Sequence, residues 1–370
     1  MATLGMTDAR PRQPDPSFWS GRSVLVTGHT GFKGSWLVRW LSLLGAEVHG
    51  LALDPPTTPS LFASTGAAEL LSSDLRVDVR DAGPLGAAVS GVAADVVVHL
   101  AAQPLVRDGY RDPAGTFATN VAGTANLLAA LGSLGDREVP SALVIVTTDK
   151  VYRPNAAGRP HREDDPLGGD DPYSASKAMA EAVTSTFRGL PGIDDRPAWR
   201  VPTATARAGN VIGGGDWSRE RLLPDCIRAF AAGEPVVLRY PSAVRPWQHV
   251  LDPLSGYLLL AEDLAGGGQD VPAAVNLGPD GDATVGEVAG LAAAAWGGDA
   301  EVRSDERPGT PHETATLRLD NDLARMRLAW RPRWDVAEAV IRTVDWHLSL
   351  RQGMDMARVT DQQIIEYSGG

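Results

Sequence analysis

Val24-Leu25-Val26-Thr27-Gly28-His29-Thr30-Gly31-Phe32-Lys33-Gly34 is the stretch on which the fold turns. Its opening apolar run suits a short buried strand, and Ser35 to Leu44 has the make-up of a helix. Strand, glycine-rich turn and helix together bring a backbone against a pyrophosphate. Gly28 permits the tight turn, Gly31 lets the chain reach the anion with no Cβ in the way, and Gly34 lets the helix settle on the strand. The spacing is G-x-x-G-x-x-G, and in a chain with 40 glycines the triplet alone also fits an ordinary turn. Context narrows it. Val48 to Leu53 reads as a second strand, with Asp54 at its end, 20 residues after Gly34. A carboxylate there accepts hydrogen bonds from the adenosine ribose and repels a 2′-phosphate, so the expected cofactor is NAD rather than NADP.

Further strands follow. Leu75 to Val79 reads as the third, with Asp78 facing either an adenine amino group or solvent. Asp95 to Leu100 is a continuous apolar fourth strand, as buried parallel sheets show. It runs into Ala101-Ala102-Gln103, small residues against which a flat cofactor can lie. A helix is expected over Thr116 to Leu131, a fifth strand over Ala142 to Val146 and another over Val201 to Ala206. Apolar strands alternating with helical stretches give an α/β fold, a doubly wound parallel (Rossmann) sheet with a smaller C-terminal substrate-binding lobe. The expected division is residues 17–206 for the nucleotide domain, with part of 235–280 returning to it, and 207–350 mainly for the lobe. Residues 1–16 and 351–370 are expected to be tails.

Composition excludes several functions. The net charge of −12 makes general nucleic-acid binding a poor fit. The single cysteine, Cys226, rules out an internal disulfide and a cysteine-rich metal site. His312 and Glu313 are adjacent rather than at ligand spacing, so no metal is expected. No apolar run reaches the ~18 residues of a membrane span. Met1 to Pro16 is polar and proline-rich without an apolar core, so it reads as a disordered tail rather than a signal peptide, and the cytoplasm is the expected compartment. Lysine occurs only at Lys33, Lys150 and Lys177; the other 31 basic residues are arginine. Arginine does the generic surface work here, which singles out three amines whose protons can be removed.

Two of those lysines stand in reactive settings. The fifth strand ends in Thr147-Thr148-Asp149-Lys150-Val151-Tyr152, on the side where such sheets bind ligands. Asp171-Pro172-Tyr173-Ser174-Ala175-Ser176-Lys177 then opens a helix reaching about Arg188, with Asp171 as its cap. Tyr173 and Lys177 are four apart and share a face, and an ammonium beside a phenol favours the phenolate. Farther on come Asn210 and the glycine run Gly213-Gly214-Gly215, a loop close to something. Arg219, Arg221 and Arg228 flank a helix beginning near Pro224, and Arg245-Pro246-Trp247-Gln248-His249 precedes a helix from Leu251 to about Leu264. Arginines at such loops suggest an anion site, with Arg221 or Arg245 on phosphate.

These residues resemble the extended short-chain dehydrogenase/reductase family of nucleotide-sugar enzymes, and within it the 4,6-dehydratases of the CDP-sugar branch. The likeness spans about Trp19 to His347. Its narrow markers are Gly28 through Trp36, Thr148-Asp149-Lys150, Asn210 through Trp217, and Arg245 through His249. Lys150 stands where related dTDP-sugar dehydratases carry glutamate. The resemblance implies the following roles. Tyr173 deprotonates the C4 hydroxyl, Lys177 tunes Tyr173 and holds the nicotinamide ribose, and Thr148 binds the C4 oxygen. Lys150, or a base it assists, removes the C5 proton, helped by a depressed pKa, and Asp149 protonates the departing C6 hydroxyl. NAD would be lined by Gly28, Thr30, Gly31, Phe32 and Gly34, by Asp54, Asp78 and Val79, and by Leu100, Ala101, Ala102, Gln103 and Thr119. The nucleotide sugar would touch Gln103, Asn210, Arg221, Arg245 and His249. The implied reaction converts CDP-glucose to CDP-4-keto-6-deoxyglucose, in a homodimer paired through a helix bundle, with no nucleic-acid or membrane partner. A dehydratase of a dTDP- or GDP-sugar, a C4 epimerase and a NAD-sensing binding protein are the alternatives. The Asp149-Lys150 pair argues against the epimerase and the Tyr173/Lys177 pair against the sensor.

Overall fold

Two alternating sets of side chains run through the central strands and bury both faces of the sheet. Val24, Val26, Val96, Val98, Val144 and Val146 pack on one side. Leu25, Val97, Leu143 and Ile145 pack on the other. The period of two on a sheet covered from both sides explains why these strands read as unbroken apolar runs. The computed structural model describes residues 11–154, 158–193, 197–268, 270–305 and 317–369; His312, Glu313 and the first ten residues lie outside them.

The strands are β1 (Ser23–Thr27), β2 (Glu47–Ala52), β3 (Leu71–Arg76), β4 (Val96–His99), β5 (Ala142–Val146), β6 (Thr203–Ala208) and β7 (Ala274–Leu277). They form one sheet in the order β7-β6-β5-β4-β1-β2-β3. Every neighbouring pair is parallel. The chain reverses direction of travel across the sheet between β1 and β4, so their carboxyl ends frame the crevice where ligands of such sheets bind. Residues beyond β6 build a second core, with Leu223, Cys226, Phe230, Trp247, Val288, Val340 and Val344 at its centre.

Three expectations need correction. β3 spans Leu71–Arg76, not Leu75 to Val79. Its pairing with β2 stops at Ala52 opposite Arg76, so the apolar alternation through Val77 and Val79 runs past the last ladder bond and Asp78 lies in the following turn. The segment after residue 350 is no tail. Met356–Ser368 is a helix whose Met356, Thr360, Ile364 and Tyr367 fall on one buried face. Tyr367 donates to buried Asp252 at 2.8 Å, and Asp361 accepts two bonds from Arg39. Nor is the N-terminal stretch loose from residue 11 onward. Arg12 pairs with Glu262 and Asp263, and a short Pro16–Trp19 helix buries Trp19.

Candidate active site

The glycine turn builds the floor of the site. Gly28 has φ +76°, and a Cβ on it would sit 2.7 Å from the Ala101 nitrogen, so β1 and the β4 exit can close together only over glycine. A Cβ on Gly34 would fall 2.2 Å from the Gly28 carbonyl. Gly31 is different: its Cβ would meet only the Gly28 oxygen, at 3.3 Å, which leaves its outer side open. The helix Phe32–Leu43 starts here with Gly31 as its cap and no side chain bonding its first amides. Free amides, the positive end of a 12-residue helix and an unobstructed glycine suit a pyrophosphate. The other cofactor residues lie around this turn. The Thr30 hydroxyl donates to the Leu53 carbonyl. Asp54 is 92% exposed, 3.7 Å from Arg76, so its carboxylate is open to a ribose. Asp78 is held by Arg80 in a two-pronged pair, and Val79 is buried against Gly123. Leu100, Ala101 and Ala102 are half-buried beside Thr27, whose hydroxyl accepts from two of their amides. Thr119 is half-buried on a wide helical turn, Ala118–Ala122. Gln103 is committed to its own chain: its amide nitrogen donates to Thr116 and its oxygen accepts from the Leu105 amide.

The β5 end and the helix Pro172–Arg188 form one wall. Asp171 caps that helix by accepting from the Ser174 amide, and Pro172 fills its first position. Tyr173 and Lys177 are both buried, and the Lys177 ammonium donates to the Val146 carbonyl at 3.0 Å. Burial brings the lysine down to about 8, against the pull of Glu181. The tyrosine departs from expectation. Burial pushes its phenol up to about 12, and the groups that oppose this are the Thr148 hydroxyl and the Arg221 charge rather than Lys177. The lysine is aimed at the strand carbonyl, so its tuning of the phenol does not appear in the free protein.

Asp149 is 1% exposed. One of its oxygens accepts from the Thr148 hydroxyl at 2.9 Å; the other has no partner and faces Gly209, where a Cβ would come within 3.2 Å. Burial raises its pKa, against the charge of Lys150, the Thr148 bond and the charges of Lys33 and Arg245. A buried carboxyl that resists ionising and keeps one oxygen uncommitted is a proton donor waiting for an acceptor. Lys150 is half-buried beside it.

The lobe supplies the other wall. Arg221 caps the Leu222–Ala232 helix, and its Nε has no hydrogen-bond partner although buried. Arg245 is buried and donates to the Val244 carbonyl, and Asn210 is half-buried in a short strand paired with Trp247–His249. His249 is fully buried, edge-on to Trp36 and Trp334; its Nδ1 accepts from the Leu251 amide and its Nε2 has no partner. The glycine run likewise approaches protein, not ligand: a Cβ on Gly214 would strike the Trp346 ring.

Sequence reasoning left three participants off its site. Lys33, in the first turn of the glycine-loop helix, is held down to about 7 by burial and by the charges of Arg221 and Lys177, with Asp149 opposing. Its signal was its rarity. Glu181, one helical turn beyond Lys177, and Arg207 in β6 form a buried ion pair behind the wall. The i, i+4, i+8 spacing of Tyr173, Lys177 and Glu181 was the available clue.

Residues 24–278 match the model of the NAD dependent epimerase/dehydratase family. The chain is 43% identical over 358 residues to a CDP-glucose 4,6-dehydratase from Salmonella typhimurium, covering 95% of this chain and 98% of the relative. It is 32% identical over 335 residues to a dTDP-glucose 4,6-dehydratase from Streptomyces antibioticus, covering 88% and 92%. Among solved structures it resembles a dTDP-glucose 4,6-dehydratase from Streptomyces venezuelae with NAD bound, at TM-score 0.72 and 28% identity over 90% of this chain and 99% of that one. With a glycine cradle that fits NAD and a tyrosine–lysine wall beside it, the chain belongs to the NAD dependent epimerase/dehydratase family.

Proposed function

We propose that the protein is an NAD-dependent nucleotide-sugar 4,6-dehydratase that converts CDP-glucose to CDP-4-keto-6-deoxyglucose. The observation that carries this reading is Asp149: a buried, hard-to-ionise acid with one uncommitted oxygen, next to Thr148 and within charge range of Lys150. Oxidation at C4 alone has no use for such a donor; expulsion of a hydroxyl does. The Salmonella relative's activity supports the same reading and the choice of CDP.

NAD, held at the Gly28–Gly34 turn, would supply the oxidising power for C4 and the reducing power for C6. Tyr173 takes the C4 hydroxyl proton, with Thr148 holding the oxygen. The ketone so formed acidifies C5, and Lys150, or a base it assists, removes that proton. Asp149 gives its proton to the C6 hydroxyl, which departs as water. C5 is then reprotonated, and the net change is the loss of one water. Lys33, Arg221 and Arg245 give the cleft the positive charge a diphosphate requires.

Incubation with CDP-, dTDP-, GDP- and UDP-sugars tests substrate and reaction together. The ultraviolet absorbance of a 4-keto sugar in base is expected with CDP-glucose. C4-epimerised product and no such absorbance would defeat the reading. Lys150→Met should stop exchange of the C5 proton with solvent, and unchanged exchange removes Lys150 from the mechanism.

The active form is a homodimer in the cytoplasm. No helix among the described residues is long and apolar enough to cross a membrane. The outer faces of the Tyr173 helix and its neighbour carry Met179, Ala182, Ala122 and Ala129 exposed, a smooth apolar surface for close helix pairing. Gel filtration should give a dimer at micromolar concentration; a monomer there counts against it.

A further inference from the structure

Glu181 and Arg207 are used by none of these steps, yet both are shut in, each side chain 5% exposed. The carboxylate has no spare capacity. One oxygen accepts from the Thr147 hydroxyl at 2.5 Å and Arg207 Nε at 2.9 Å. The other accepts from the Thr205 hydroxyl at 2.7 Å and Arg207 Nη2 at 2.8 Å. Arg207 Nη1 goes on to donate to the Tyr152 hydroxyl at 2.7 Å and the Glu163 carbonyl at 3.0 Å. Tyr152 donates in turn to Asn276 in β7 at 2.6 Å. One ion pair thus ties together the Tyr173 helix, the end of β5, β6 and the chain leaving Lys150.

Desolvating two charges costs about as much as their attraction returns, and apolar residues would fill the same space without that cost. What apolar residues lack is direction. A carboxylate gripping two threonine hydroxyls and a guanidinium fixes helix against strand in a single geometry. Thr147 immediately precedes Thr148, and Lys177 binds the residue before it, Val146. The clamp therefore grips the strand at Thr147, between the carbonyl that Lys177 holds and the Thr148-Asp149-Lys150 end.

We propose that Glu181 and Arg207 are a positioning pair that holds the Tyr173–Lys177 helix and the Thr148-Asp149-Lys150 strand end at one separation, so that a sugar posed for oxidation is also posed for loss of water. This rests on the dehydratase reading. Dehydration runs several steps on one bound sugar, and a misplacement of about 1 Å can cost on the order of a hundredfold in rate. The pair also sets the field at Lys177. The titratable groups coupled by charge to that ammonium are Glu181 on its own helix, His99 at the end of β4 and Lys33 in the first turn of the glycine-loop helix; Glu181 is the one that raises its pKa.

The test uses the full-length holoenzyme with CDP-glucose. Glu181→Gln keeps the shape and removes the charge. The double variant Glu181→Gln with Arg207→Met removes both charges, and Thr147→Val cuts one arm while leaving the ion pair whole should the first two not fold. The readouts are the share of turnovers that end with reduced cofactor instead of 4-keto-6-deoxy product, and the pH profile of kcat. Intact coupling leaves almost no reduced cofactor in the wild type. The clamp predicts a kcat lower by on the order of a hundredfold in Glu181→Gln, reduced cofactor accumulating in every variant, and an alkaline limb that starts below its wild-type position in the two variants lacking the Glu181 charge. Variants that melt earlier but keep the wild-type partition and pH limb make the pair merely structural and overturn the proposal. Wild-type protein that forms no 4-keto product overturns the dehydratase reading and the clamp with it.

Discussion

The two walls of the cleft are charged in opposite styles. On the β5 side Asp149, Tyr173 and Lys177 are buried, and burial is the first cause of every shift in their ionisation. On the lobe side Glu220, immediately before Arg221, is 36% exposed and pairs with Arg107 at 2.6 Å and Arg111 at 3.7 Å, both more exposed still. The first wall has removed water from around its charges, so each proton there is held or released by the protein. The second keeps Arg245 and the Arg221 Nε buried but leaves the charges of its rim, Glu220 with Arg107 and Arg111, in water, where an ion pair is screened and worth about 0–1 kcal/mol. Chemistry belongs to the dry wall; gathering and orienting a charged substrate belongs to the wet one.

If that division holds, the largest effect comes from the dry wall. Asp149→Asn removes the proton donor and should lower kcat by about 10²–10⁴-fold while binding of the nucleotide sugar persists. The same change should stabilise the fold. Burial raises the Asp149 pKa above its unfolded value of about 3.9. The proton is therefore favoured by the folded state, and the stability it contributes is complete below about pH 4 and lost as pH rises through the raised value. Asparagine escapes that loss, so the variant should gain on the wild type in thermal melts from pH 4 towards 7. A gap that stays flat with pH would mean that water reaches the carboxyl and that the wall is not dry.

How much of this was legible varies with the kind of signal. The sheet could be read because β1, β4 and β5 are buried on both faces and need no contrast of polar and apolar positions. Tyr173 and Lys177 could be read because helix spacing puts them on one face. The burial of His249 was not legible, because nothing local reveals that Trp334, far along the chain, closes over it. The C-terminal helix was missed because two rungs of its buried face region, Thr360 and Gln363, are polar and find partners only in the fold, at Trp346 and the Arg342 carbonyl. Arg207 was lost among 31 arginines, and only its burial against Glu181 sets it apart.

An intermediate effect separates the cradle's two kinds of glycine. Gly28→Ala would place a Cβ against the Ala101 backbone at a left-handed φ. The backbone strain alone is about 1–2 kcal/mol, so the melting temperature should fall even without nucleotide. Gly31→Ala meets only one carbonyl oxygen, at 3.3 Å, so the free protein should melt near the wild type while NAD binds more weakly. Equal loss of melting temperature in the two would show that Gly31 serves the fold rather than the anion.

The smallest effect belongs to the rim. Glu220→Ala removes a negative charge and frees Arg107 and Arg111 for an anionic substrate, so it should lower KM for the nucleotide sugar by about 2–5-fold at low salt, corresponding to the ~0.5–1 kcal/mol of an exposed pair, with kcat unchanged. The difference should fade as salt shortens the range of the charges. Glu220 also has φ +62°, a left-handed backbone for a residue with a Cβ. Alanine keeps that strain and loses the tie to Arg107; Glu220→Gly loses both. Relief of about 1 kcal/mol of backbone strain is comparable to what the ion pairs supply, so the glycine variant should melt above the alanine variant although both have the same KM. A rise in KM, a salt-independent change in it, or a fall in kcat would place Glu220 with the dry wall and erase the distinction between the two sides.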